Sequence, residues 1–135
     1  MAIYSEVIMA RFMQPQYAYK ERELDDSNQP FYYKVTAGAQ EQGAVLTLFV
    51  CVDAQTEKVT SAEFQMYGCG ACIASADILC ERLIGLNLKQ LQSFNTQELA
   101  AELELPMVKM HCTWLANEAL EKITVAWQSA SANHS

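Results

Sequence analysis

From residue 31 onward the apolar residues of this chain change their spacing once, and the change falls at a cysteine held between two glycines, Gly68-Cys69-Gly70. Before it they recur at every second position. Leu46, Leu48, Val50 and Val52 alternate onto one face of Val45 to Asp53, and Ala62, Phe64 and Met66 alternate against Ser61, Glu63 and Gln65 in Lys58 to Tyr67. A period of two is that of a half-buried strand. Phe31 to Thr36 adds a third strand, and Asp53-Ala54-Gln55-Thr56-Glu57 suits a hairpin longer than two residues. After Gly70 the period becomes helical. Ile73, Ala76, Cys80 and Leu83 form one stripe, which Gly85 is placed to end. Asn95 and Glu98 have capping-box spacing and open a helix that stops before Pro106. Cys112, Leu115, Ala119, Ile123 and Trp127 form the stripe of a last helix. Strands followed by helices predict an α+β domain, an antiparallel sheet with helices packed on one face.

The ends add little. Ile3, Val7, Ile8 and Phe12 share one side of a short amphipathic helix over residues 3–13 that Pro15 stops. A polar stretch from Lys20 to Pro30 reads as a loop, and the small polar residues 129–135 as a fraying tail. Residues 1–128 are expected to form one domain. With 51% hydrophobic residues in 135, such a chain buries about two-thirds of its unfolded surface and folds without staples.

Charge narrows the function. Nine Lys and Arg against sixteen Asp and Glu give a net charge of −7, which repels phosphate backbones and anionic lipid. Neither nucleic acid nor membrane is therefore an expected partner. No apolar run approaches the ~20 residues of a membrane span. The first 13 residues carry Glu6 and Arg11 without a basic start, unlike a signal peptide. Five cysteines, an odd number, then point to the reducing cytoplasm, where thiols stay free or bind metal. The sequence holds no glycine-rich phosphate loop, His-Glu-x-x-His or Gly-x-Ser-x-Gly, and its carboxylates are scattered, so no catalytic set is identified.

Two constellations carry chemistry. In Gly68-Cys69-Gly70-Ala71-Cys72 the glycines allow a tight strand-to-helix turn, and the positive end of a helix favours a thiolate, the metal-binding form. The Cys-x2-Cys spacing lets both sulfurs reach one metal. Cys72 lies between the core side of its helix and this mouth, so packing and ligation are both open for it. In Lys109-Met110-His111-Cys112, adjacent helical residues diverge by about 100°, so His111 joins Cys112 on one metal only from a non-helical approach. Cys80, on the apolar stripe, is read as core, and Cys51, on the polar phase of its strand, has no partner in the sequence. Phe31-Tyr32-Tyr33 is read as sheet packing rather than a stacking platform.

Tyr4-Ser5-Glu6-Val7, Phe12-Met13-Gln14-Pro15, Phe64-Gln65-Met66-Tyr67-Gly68-Cys69-Gly70, Ile73-Ala74-Ser75, Asn95-Thr96 and Leu103 to Cys112 resemble the iron–sulfur cluster assembly scaffold family of IscU and the NifU N-terminal domain. The resemblance runs from about residue 3 to 127. It implies a three-stranded antiparallel sheet with packed helices, and a cluster site built from three cysteines plus an Asp or His. Cys69 and Cys112 match the second and third family cysteines, His111 the neighbouring histidine, and Lys109 a lysine near the site. Leu105-Pro106-Met107-Val108-Lys109 is similar to the segment recognised by a specialised Hsp70-type chaperone, with Met107 in place of a proline. The first ligand loop departs from the family pattern: Gln42 stands at the first cysteine and Ala44 at the aspartate.

Three functions are compatible with that pattern. In the first, the chain is a scaffold that binds iron or a [2Fe-2S] cluster through Cys69, His111, Cys112 and a recruited Cys72, and hands it to acceptor apo-proteins. In the second, the same residues hold zinc, and Cys112 accepts persulfide sulfur from a cysteine desulfurase. In the third, the chain has lost the cluster and engages desulfurase or chaperone as an adaptor. None is an enzyme in the sense of turnover. Retention of Cys69, His111 and Cys112 favours the first two.

Overall fold

The computed structural model describes residues 5–20, 32–105 and 111–133, the last three of these by backbone alone. Three strands, β1 (Tyr32–Ala39), β2 (Ala44–Val52) and β3 (Val59–Tyr67), form an antiparallel sheet in that order. Residues Tyr33 and Ala37, Leu46, Leu48 and Val50, and Ala62 and Phe64 lie on one face and are buried there. Period-two burial is the physical content of the alternation seen in the sequence. The β2–β3 turn is set by Asp53, whose carboxylate accepts from the amides of Gln55 (2.7 Å) and Thr56 (3.3 Å).

Among the described residues there are five α-helices, α1 (Glu6–Met13), α2 (Gly70–Leu83), α3 (Leu88–Gln92), α4 (Gln97–Leu103) and α5 (His111–Asn133), of which all but α3 are expected, with shifted ends. Helix α2 lies across β3 and α5 across β1 and β2, and the two helices touch each other. The centre of the molecule is thus α2, which is buried on nearly every side and not on one stripe alone: Ala71, Cys72, Ala74, Ala76, Ile78, Leu79, Cys80 and Leu83 are all enclosed. Its small residues let β3, α1, α4 and α5 approach it together. Helix α2 ends at Leu83 before Gly85, whose φ of +93° favours glycine.

The sheet's other face is covered in part by residues 17–19. Phe64 donates to the Tyr17 carbonyl (3.0 Å) and Tyr19 to the Phe64 carbonyl (2.7 Å), which lays this segment along the edge of β3. Tyr19 then stacks on Phe49 with ring centroids 4.1 Å apart. The segment and α1 are held to α2 by the fully buried Asp77, which accepts from the Tyr17 amide (2.8 Å) and from Arg11 (2.9 Å). Arg11 also pairs with Glu81 (3.0 Å).

Two expectations need correction. The Asn95–Glu98 capping box does not form. Thr96 is the N-cap of α4, and Asn95 accepts from the Gln97 amide instead (3.0 Å). A true capping box joins Asn87 and Gln90 at α3, whose five residues are too few to show a period. Helix α5 continues to Asn133 where a frayed tail from Ser129 is expected, because its short side chains do not interrupt the helix and Ala130 packs partly on the core. Expectations on residues 1–4, 21–31, 106–110 and 134–135 lie outside the described residues. Among the described residues no helix is long and apolar enough to cross a membrane.

Candidate metal centre

Four donors stand where two helices begin. Cys69 is the N-cap of α2, with extended backbone, and Cys72 lies in that helix's first turn. His111 and Cys112 are the first two residues of α5. A Cβ at Gly70 would meet the Phe12 ring at 3.2 Å, so this glycine lets α1 close over the start of α2. Both helix ends turn their positive poles towards the same space, which favours negatively charged sulfur.

Cys72 is the hub. Its sulfur lies 3.7 Å from Cys69 Sγ, 3.6 Å from His111 Nε2 and 2.6 Å from Cys112 Sγ. Cys112 Sγ is 3.9 Å from His111 Nε2, and all four donor atoms fall within 4.8 Å of one another. Cys72 and Cys112 are buried, whereas Cys69 and His111 are half-buried and form the mouth. His111 therefore joins Cys112 from within the helix, against the expectation of a non-helical approach. The imidazole is long enough to place Nε2, at the far side of its ring, beside the neighbouring sulfur.

The donors suit one tetrahedral ion. With metal–sulfur bonds of about 2.3 Å and metal–nitrogen bonds of about 2.0–2.1 Å, neighbouring ligands are separated by about 3.6–3.8 Å. Three of the measured separations, 3.6, 3.7 and 3.9 Å, lie near that spacing. The Cys72–Cys112 pair must open by about 1 Å to ligate one centre. A two-iron cluster distributes its ligands over two metals and requires a wider opening. Three thiolates and an imidazole are soft enough for zinc, iron or iron–sulfur ligation.

Electrostatics agree with the geometry. The hydrogen bond from Cys112 pulls the Cys72 thiol down to about 6, helped by Cys69 and by charge on His111 and opposed by burial. The same hydrogen bond, with burial, pushes Cys112 upward. Two thiolates in contact repel, so the pair keeps one proton between them.

The other cysteines stay apart from the site. Cys80 is fully enclosed in α2, and burial drives its thiol well up. Cys51 is half-exposed on the outer phase of β2. The hairpin tip carrying Gln42 and Ala44 does reach the site's edge. With His111, Trp114, Leu115 and Glu118 these two residues line a cavity of about 270 Å³. Trp114 and Glu118 escape notice in the sequence, although positions 111, 114, 115 and 118 have the spacing of one helix face. Leu105 is half-buried, its amide bonded to the Ala100 carbonyl (3.0 Å), while Pro106, Met107, Val108 and Lys109 lie outside the described residues.

The family model described as NifU-like N terminal domain matches residues 3–133. The chain belongs to this family. The iron-sulfur cluster assembly scaffold protein IscU of Escherichia coli is 32% identical over 123 residues, covering 83% of this chain and 95% of that relative. The iron-sulfur cluster assembly protein 1 of Arabidopsis thaliana is 34% identical over 96 residues, covering 71% of this chain but 58% of that longer relative. The solved N-terminal structure of a NifU-like protein from Brucella abortus matches with a TM-score of 0.53 at 16% identity, covering 97% of this chain and 90% of that one. That last likeness concerns the fold, and the three-stranded antiparallel sheet with packed helices is the family's.

Proposed function

We propose that this chain is a scaffold for iron–sulfur cluster assembly, which receives iron and sulfide as cargo and passes the product on. The observation carrying this is the convergence of Cys69, Cys72, His111 and Cys112 within 4.8 Å at two helix N-termini, in a member of this family. Cys69, His111 and Cys112 are the retained ligands, and Cys72 takes up the part that Gln42 leaves vacant. A neutral amide is a poor iron ligand beside a thiolate, and the Ala44 methyl is none. The activity is binding and transfer, without a catalytic cycle on the chain itself.

The partners follow from that role: a cysteine desulfurase as sulfur source, apo-proteins as acceptors, and an Hsp70-type chaperone at Leu105 to Lys109. A reducing compartment such as the cytoplasm suits the free thiols, although several relatives are named as mitochondrial. The deciding experiment is the iron, zinc and acid-labile sulfide content of anaerobically purified protein, with its visible spectrum. Iron and sulfide in comparable amounts, with thiolate-to-iron absorption, are expected from wild type. Both should be lost in Cys69→Ser and Cys112→Ser and strongly reduced in Cys72→Ala. Zinc without sulfide would move the function to sulfur transfer, and no metal after reconstitution would overturn the scaffold.

A further inference from the structure

A scaffold that takes sulfur from a desulfurase meets a redox problem. A persulfide carries its outer sulfur as sulfane, whereas an iron–sulfur cluster requires sulfide, two electrons more reduced. We propose that Cys72 is a resolving thiol, which reduces sulfane sulfur held on Cys112 to sulfide inside the site. This deepens the scaffold function and rests on it for the meaning of the sulfide.

The geometry points to Cys72 in two ways. Its sulfur is 2.6 Å from that of Cys112, so nothing lies between them and the two are within reach of a shared bond. Its sulfur also lies 3.7 Å from that of Cys69 at the half-buried mouth. The step balances. With the outer sulfur on Cys112 as Cys–S–SH, the Cys72 thiolate attacks Cys112 Sγ. The Cys72–Cys112 S–S bond forms, the bond from Cys112 Sγ to the outer sulfur breaks, and the electron pair leaves with that sulfur as HS⁻. Two thiols are oxidised to one disulfide while one sulfane sulfur is reduced. An external dithiol reductant then restores both thiols. Burial of the pair keeps bulk solvent from the persulfide meanwhile.

The test uses the full, metal-free chain, reduced, desalted and briefly exposed to inorganic polysulfide, with peptide mass spectrometry as readout. Wild type is expected to give a Cys72–Cys112 disulfide and about one released sulfide per chain, together with little persulfide. Cys72→Ala should instead hold Cys112 with the mass of one extra sulfur, and Cys72→Ser, nearly the same size, guards against a packing defect in the first variant. A lasting persulfide on wild-type Cys112, or sulfide release from the two variants equal to that of wild type, would overturn the proposal. Iron binding by fully reduced protein is scored separately. A chain that binds iron but does not resolve the persulfide leaves the scaffold function standing, and one that resolves it but binds no iron removes that function alone.

Discussion

A single proton shared by two sulfurs sets the chemistry of the site. Because Cys112 donates to Cys72, removing that donor should raise the Cys72 midpoint. In the metal-free protein, ultraviolet thiolate absorbance is expected to fall by one equivalent as pH drops through about 6, and at distinctly higher pH in Cys112→Ala. Stability should follow. The depressed Cys72 thiol favours the folded state above its unfolded value of about 8.5, and that gain is lost as pH falls through about 6. Cys112 works in the opposite sense, its gain being lost as pH rises past about 8.5. The metal-free chain should therefore resist urea best near pH 8, and a profile without a maximum there would contradict the shared proton. Cys80, enclosed and distant from the donors, gives the contrast. Cys80→Ala should cost about 1 kcal/mol in urea unfolding and leave metal content unchanged.

Between elements, two contacts hold the site's surroundings. Asp77 receives both the Arg11 guanidinium and the Tyr17 amide with no access to water. Asp77→Ala leaves the Tyr17 amide without its acceptor and Arg11 with Glu81 alone, and should cost about 2 kcal/mol, seen as a lower urea midpoint with faster proteolysis near α1. At the hairpin tip, Gly38 has φ +84°, and a Cβ there would meet the Ala44 carbonyl oxygen at 2.4 Å and Leu115 at 2.6 Å. Gly38→Ala should cost roughly 1–3 kcal/mol and push the Gln42 side of the cavity away from His111, visible as altered His111 chemical shifts. This scale also marks what the chain discloses before folding. Strands β2 and β3 and the start of α2 are legible because alternation, period change and flanking glycines agree at one place. Helix α3 is not, since five residues hold no period. The place of Cys72 among the four donors is legible only in part: its partner is 40 positions away, and local spacing weighs packing and ligation equally. Its position between core and mouth, both of which the structure realises, is why neither alternative could be removed from the sequence.

For the whole molecule, a metal held by the four donors would be a cross-link between α2 and α5. An ion at a concentration 100-fold above its dissociation constant adds about 2.7 kcal/mol to the folded state. For 135 residues that corresponds to a rise of about 10 °C in Tm. Zinc added to reduced wild type should produce a rise of that order in a thermal scan, reversed by chelator, and Cys69→Ser should lose most of it. A wild-type Tm indifferent to metal would contradict a four-donor site spanning the two helices.

The distance along the chain between those helices has one more consequence. Neither half of the site is chelating enough to retain cargo: one offers a Cys-x2-Cys at a helix start, the other an adjacent His-Cys pair. The full set exists only after the loop joining Cys72 to Cys112, 40 positions apart, has closed and α5 has seated on the sheet. Occupancy therefore acts as a latch that engages last, and an unfinished or locally opened chain releases what it carries. In a chain loaded as proposed, cargo release and undocking of α5 would be one event, and a partner that pries this helix loose would unload the protein without touching a ligand.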